Sequence, residues 1–160
     1  MAEVIHGRMT ADMEGEFVVF LIGMRVNKLW KLHSWLPVFL AMPRMLKELY
    51  QDPDSGFLGH ISSFGMVVQY WRSYEQLEAY ARSKDKSHWP AWIAFNKSAA
   101  NSRGDVGIWH ETYCVKPGQW ETIYGNMPPF GLAKASSAIP IGKDFYSSRQ
   151  RLRTGTGSSR

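Results

Sequence analysis

The sequence predicts one α+β domain built on an antiparallel sheet. Three observations carry that expectation. An apolar run over residues 16–24 is only strand-length, two stretches show helical periodicity, and further β-branched or alternating runs bracket them. With 160 residues, of which 44% are hydrophobic and 14% aromatic, the chain can bury a continuous core without staples.

Residues 1–15 are mixed and polar and predict no regular element. The following Glu16-Phe-Val-Val-Phe-Leu-Ile-Gly-Met24 is apolar on successive positions, so both faces must be covered and the strand belongs in the middle of a sheet. A basic linker with Arg25, Lys28 and Lys31 leads to Ser34, which can cap a helix carrying Leu36, Phe39, Leu40, Met42, Leu46 and Leu49. Pro37 is placed in the first turn, whereas Pro43 removes an interior hydrogen bond and predicts a kink near Phe39. The helix should stop near Tyr50, ahead of Gln51-Asp-Pro-Asp-Ser-Gly56.

Residues 57–64 and 66–72 read as a hairpin turning at 63–65. Ser73-Tyr-Glu-Gln76 has the form of a capping box and opens a short helix through Leu77, Tyr80 and Ala81. A second helical stretch from Ser87 puts His88, Trp92, Phe95 and Ala99 on one stripe, with Trp89, Ile93 and Asn96 beside it. After Gly104, residues 106–115 alternate, with Ile108, His110, Thr112 and Cys114 on one side and Trp109, Glu111, Tyr113 and Val115 on the other. Lys116-Pro-Gly-Gln119 suits a type II turn, and residues 120–124 read as a last strand. From about residue 142 the chain turns to Ser, Arg, Gly and Thr. The organisation expected is therefore a domain over 1–142 and a basic, disordered tail over 143–160.

The order strand, helix, strand, strand, helix, strand is that of the split βαβ, or ferredoxin-like, arrangement with helices on one face. The other face is too rich in Trp and Tyr to stay wet, which points to a homodimer stacking two sheets into a dimeric α/β barrel.

The net charge of +5 sits mostly in the tail, where Lys143, Arg149, Arg151, Arg153 and Arg160 face only Asp144, leaving +1 for the rest. A near-neutral body argues against a nucleic-acid groove. No run approaches a bilayer span and no leader pattern is visible, so a soluble protein without a membrane partner is expected. The single cysteine, Cys114, excludes an internal disulfide framework and a cysteine-based zinc cluster, and the expected compartment is the reducing cytoplasm. Phosphate-cradling glycine loops and the Gly-x-Ser-x-Gly elbow are both missing from the chain, which disfavours ATPases, dinucleotide dehydrogenases and α/β-hydrolases.

His6, His33, His60, His88 and His110 show no pairing at metal-binding spacing. His110 and Glu111 are adjacent in a strand and face opposite sides, so they cannot act as one dyad. If the helix-facing side is the cavity, His110 is the candidate proton acceptor or relay and Glu111 lies at the dimer face; otherwise His110 hydrogen-bonds within the sheet. His88 is the second candidate, above an apolar cavity shaped by Trp89, Trp92, Phe95 and the amide of Asn96. Trp71, Arg72, Trp109, Tyr113, Trp120 and Tyr124 supply further aromatic surface for a planar apolar ligand. Arg25 and Arg44 could take a carboxylate or phenolate.

The run Phe17-Val-Val-Phe-Leu-Ile-Gly-Met-Arg-Val-Asn27, Gln69-Tyr-Trp-Arg-Ser-Tyr-Glu-Gln-Leu-Glu-Ala-Tyr-Ala81, His88-Trp-Pro-Ala-Trp92, Val106-Gly-Ile-Trp-His-Glu-Thr-Tyr113 and the closing Ile123-Tyr-Gly-Asn-Met-Pro128 resemble a known family. It is the monooxygenase-like family of small bacterial and fungal proteins, of the fumagillin-pathway type, near the antibiotic-biosynthesis monooxygenases. The resemblance covers about residues 1–135. It implies a dimeric α+β barrel, a place in secondary metabolism, and oxygenation of an electron-rich phenol or enol by O₂ without a cofactor. It does not assign residues. His88 and His110 as catalytic groups, and Trp71, Trp89, Trp92, Phe95, Asn96 and Tyr124 as substrate contacts, are readings of the sequence itself. The same type of barrel hosts haem proteins, including aldoxime dehydratases, so haem on His88 or His110 is the alternative cofactor. A non-catalytic small-ligand binder is the third reading.

Overall fold

The computed structural model describes residues 3–86, 89, 93, 96, 104–143 and 146–154. The chain runs β1 (Ile5–Asp12), β2 (Phe17–Val26), α1 (Leu32–Gln51), a 3₁₀ turn (Pro53–Ser55), β3 (Phe57–Ser63), β4 (Met66–Trp71), α2 (Tyr74–Arg82), β5 (Val106–Val115), β6 (Tyr124–Met127), α3 (Leu132–Ala135), β7 (Ser137–Pro140) and α4 (Ser148–Thr154). It is an α+β fold with two antiparallel sheets, ordered β3-β4-β2-β5 and β6-β1-β7.

β2 lies inside the larger sheet, as its unbroken apolar run requires. Val18 pairs with Trp71 and Cys114, Phe20 with Gln69 and Thr112, and Ile22 with Val67 and His110. Residues directly opposite in an antiparallel sheet share a face, so this set looks one way, and Phe17, Val19, Leu21 and Gly23 look the other. The first face packs on the helices, where Val18 and Trp71 meet Leu49 of α1 and Leu77 of α2. Burying each of these aliphatic side chains is worth about 1.5–3 kcal/mol. α2 opens as its capping box predicts, with the Ser73 hydroxyl accepting from the Gln76 N–H at 3.2 Å.

The second face corrects the sequence reading. Ferredoxin-like packing with helices on one face alone left this side bare, but the chain covers part of it itself. Ala11 and Met13, with Leu132 and Ala133 of α3, close over Phe17. The polar look of residues 1–15 hid an alternation in which Met9, Ala11 and Met13 are buried. β1 is then held by pairing to both β6 and β7, and Thr10 and the Ala11 N–H bind the Thr122 hydroxyl. Arg72 ties the β1–β2 turn down, donating to the carbonyls of Glu14 and Glu16. Among the described residues the two sheets do not close into a barrel.

Three further boundaries move. Residues 120–123 are not a strand; the Ala11 N–H of β1 goes to the Thr122 hydroxyl in place of a backbone carbonyl, and the strand runs from Tyr124 to Met127. Within the tail expected to be disordered, Ser148–Thr154 forms α4, anchored by a buried Arg151 whose Nε donates to Glu121 at 2.9 Å. Ser34 does not cap α1. The helix starts at Leu32 after Lys31, with Pro37 as well as Pro43 inside it, and the Ser34 hydroxyl turns instead to Asp105 at 3.4 Å.

Asp105 is buried and holds the β2–α1 connection to the start of β5. Its carboxylate meets the ammonium groups of Lys28 at 2.7 Å and Lys31 at 2.8 Å, and its carbonyl accepts from the Asn27 and Lys28 N–H groups. The hydrogen bonds from the two lysines lower its pKa to about 2. An aspartate in the unfolded chain titrates at about 3.9, so this stabilisation is complete above that pH and is lost as the pH falls towards 2. Asp105→Asn should therefore melt at a lower temperature than wild type at neutral pH. In thermal melts the gap between the two should shrink between about pH 4 and pH 2.

Candidate active site

The helix-facing side of the larger sheet gathers the titratable side chains best placed for chemistry. β5 carries Ile108, His110, Thr112 and Cys114 along this side, all exposed. The His110 ring lies 5.6 Å from the Phe20 ring at a tilt of 39°. Next to that apolar floor, the buried Gln69 amide oxygen accepts the Trp71 indole N–H at 2.9 Å, so a polar pair is locked in the middle of the face. The same row continues through Gln69 to His60 on β3.

His60 is half-buried and shares a 3.0 Å hydrogen bond between its Nδ1 and the hydroxyl of Tyr50, at the end of α1. Phe57 stacks on the imidazole at 6.2 Å. Burial, and then the nearby Lys134 ammonium, push the His60 pKa below the ordinary histidine value. At neutral pH the ring is uncharged, the form that can accept a proton from a ligand. His60 and His110 stand on the first and last strands of the sheet, roughly 16 Å apart by three strand spacings and a two-residue offset along the strand. No proton passes directly between them, and a small substrate would meet one or the other.

The opposite side holds phenols. The Tyr124 hydroxyl accepts the Ala133 N–H at 3.3 Å, and burial raises the pKa of both Tyr124 and Tyr70. Both hydroxyls converge on Gly131, where a Cβ would stand 3.2 Å from the Tyr70 oxygen, and where φ is +55°. Glycine is therefore required there on two counts. Further along this face Trp109 lies over Gly23, where a Cβ would meet its ring at 2.7 Å. Tyr113 is half exposed and donates to the Glu111 carboxylate at 2.6 Å.

The structure thus brings Trp71 and His110 onto one face and places Tyr124 on the other. Trp109, Tyr113 and Trp120 also lie away from the helices. Trp89 is half-buried, its ring 5.8 Å from the Lys84 ammonium, and Asn96 is exposed. His88, Trp92 and Phe95 lie outside the described residues. Arg25, Arg44 and Cys114 are exposed. Among the described residues no three His, Cys, Asp or Glu side chains converge as a metal site. Sequence reasoning missed the His60–Tyr50 pair and Gln69. Alternation places His60 and Gln69 on faces of their own strands, but only the strand register shows that those faces are one.

Residues 17–132 match the family described as Monooxygenase af470-like. The chain belongs to the monooxygenase af470-like family. It is similar to Monooxygenase af470 of Aspergillus fumigatus (strain ATCC MYA-4609 / CBS 101355 / FGSC A1100 / Af293), with 27% identity over an alignment of 172 positions covering 90% of this chain and 59% of that protein. The chain therefore spans less than two thirds of the length of this curated relative. The part shared with the af470-like family begins at β2 and takes in β3, β4, β5, α1 and α2, the elements that build the face carrying His60 and His110.

NMR titration of the imidazole C–H signals tests the electrostatics. The His60 signal should titrate below about 6.5, and Lys134→Ala should move its midpoint part of the way back up. A His60 midpoint at or above that value would mean that the burial and the Lys134 contact are not as described.

Proposed function

We propose that this protein is a monooxygenase that oxidises a small aromatic or enolisable apolar metabolite with O₂ and no cofactor, on the helix-facing side of the larger sheet. Family membership supports the reaction class. The observation that carries the location is the exposed imidazole of His110 beside the Phe20 ring, a base next to an apolar floor.

In this reading His110 removes a proton from an activated CH₂ or phenol, and the resulting anion passes an electron to O₂. The radical pair collapses to a carbon-bound hydroperoxide. Loss of the remaining C–H proton and cleavage of the O–O bond give a carbonyl and water. One oxygen atom enters the product, the other leaves as water, and the substrate supplies all the electrons. Gln69, fixed by Trp71, lies on the same face and can orient a polar group of the substrate. The other candidates read from the sequence, His88 as a second base and Trp89, Trp92, Phe95 and Asn96 as substrate contacts, belong to the same proposal.

The protein also works as a homodimer of the ferredoxin-like barrel type. The end of the second face that the chain leaves open, with Trp109 and Tyr113 exposed on it, is the surface that a second copy covers.

Oxygen uptake with phenols and enolisable aromatic ketones tests the activity. Uptake should be equimolar with substrate, with one atom of heavy-isotope O₂ in the product. His110→Ala should lower kcat by about 100-fold or more while the circular dichroism spectrum stays that of wild type. Tight binding of these compounds without oxygen uptake would make the protein a binder and overturn the proposal.

A further inference from the structure

We propose that the end of the molecule formed by the β2–α1 loop, the first half of α1 and the β3–β4 turn docks on an anionic lipid surface. Two neighbouring tips there hold large apolar side chains out in solvent: Leu29 is 69% exposed, Trp30 77% and Phe64 88%. The tips belong together. The Met24 N–H at the end of β2 donates to the Gly65 carbonyl at 2.8 Å, and the Phe64 ring lies 6.1 Å from that of Phe39 on α1. The Trp35 indole N–H braces the loop by donating to the Leu29 carbonyl at 3.0 Å. Leu32, Leu36 and Leu40 continue the apolar surface along one stripe of α1, edged by a shallow groove of about 380 Å³ that ends at Arg44.

The segment that forms most of this patch carries charge of one sign. Residues 17–47 contain no aspartate or glutamate, but they include Arg25, Lys28, Lys31, Arg44 and Lys47. Asp105 takes up Lys28 and Lys31, whereas Arg25, Arg44 and Lys47 are exposed and enter no ion pair among the described residues. Trp, Leu and Phe flanked by unpaired cations match the interface of an anionic bilayer, where the rings enter the headgroup region and the cations meet lipid phosphates and carboxylates. A second copy is the poorer occupant, because a symmetric contact would set the same cations against each other without an acid from this segment to pair with them. No described helix is long and apolar enough to cross a membrane. Docking on the surface needs no such helix, so the expectation of no membrane partner, drawn from the lack of a span, does not bear on it.

Co-sedimentation of the full chain with vesicles tests this. Binding should be at least about fivefold stronger to phosphatidylcholine vesicles containing about 30% phosphatidylserine than to phosphatidylcholine alone, and it should weaken with added salt. A Trp30→Ser, Phe64→Ser double variant should bind about tenfold more weakly with an unchanged circular dichroism spectrum, since both side chains stand in water. Arg44→Glu should reduce only the phosphatidylserine-dependent part. No sedimentation with either vesicle would overturn the proposal. So would a concentration-dependent dimer that the double variant dissolves, which would make the patch a contact between copies.

Discussion

β2 is a strand that is apolar at nearly every position, and such a strand cannot lie at an edge or leave a face in water. It takes β4 on one side and β5 on the other, and each of its two faces needs a cover. The helices supply one through Leu49 and Leu77. β1, α3 and β7 supply part of the other through Ala11, Leu132 and Ala138. Even the loop leaving β2 is fixed by this demand, because Asp105, just before β5, holds the chain at the point where it must turn into α1.

Two faces give two environments. On the helix side, pairing across β2 puts imidazoles at both ends of the sheet with a buried amide–indole pair between them. On the other side two phenols, Tyr70 and Tyr124, keep their protons through burial and are set tightly around a glycine, with the Glu111 carboxylate further along. A neutral imidazole can take a proton at neutral pH, whereas a buried phenol with a raised pKa keeps its own. That difference is why the proposed reading puts base chemistry on the helix side.

The central sheet was legible because its signals are local and strong: an unbroken apolar run, a hairpin, a capping box and a ten-residue alternation over Val106–Val115. The alternation correctly separated His110 from Glu111. The second sheet was not legible. β1 looks polar because Arg8, Thr10 and Asp12 alternate with its apolar residues, and β6 and β7 are each only four residues long. Strands that short gain their stability from partners far along the chain, which no local pattern records. The helix end at Ser34 was misplaced for a similar reason: its hydroxyl has a tertiary partner in Asp105 that outcompetes the cap. His60 was not singled out among the histidines because its surroundings depend on Tyr50 and on strand register, both set by the fold.

The account rests on oxygenation by the polypeptide's own groups. An absorbance spectrum of the purified protein from about 300 to 700 nm, before and after hemin, tests it most directly. The account predicts a featureless spectrum beforehand and, on adding hemin, only the band of the free compound. A strong Soret band that is lost when His110 or His88 is replaced would contradict it and make this chain a haem protein.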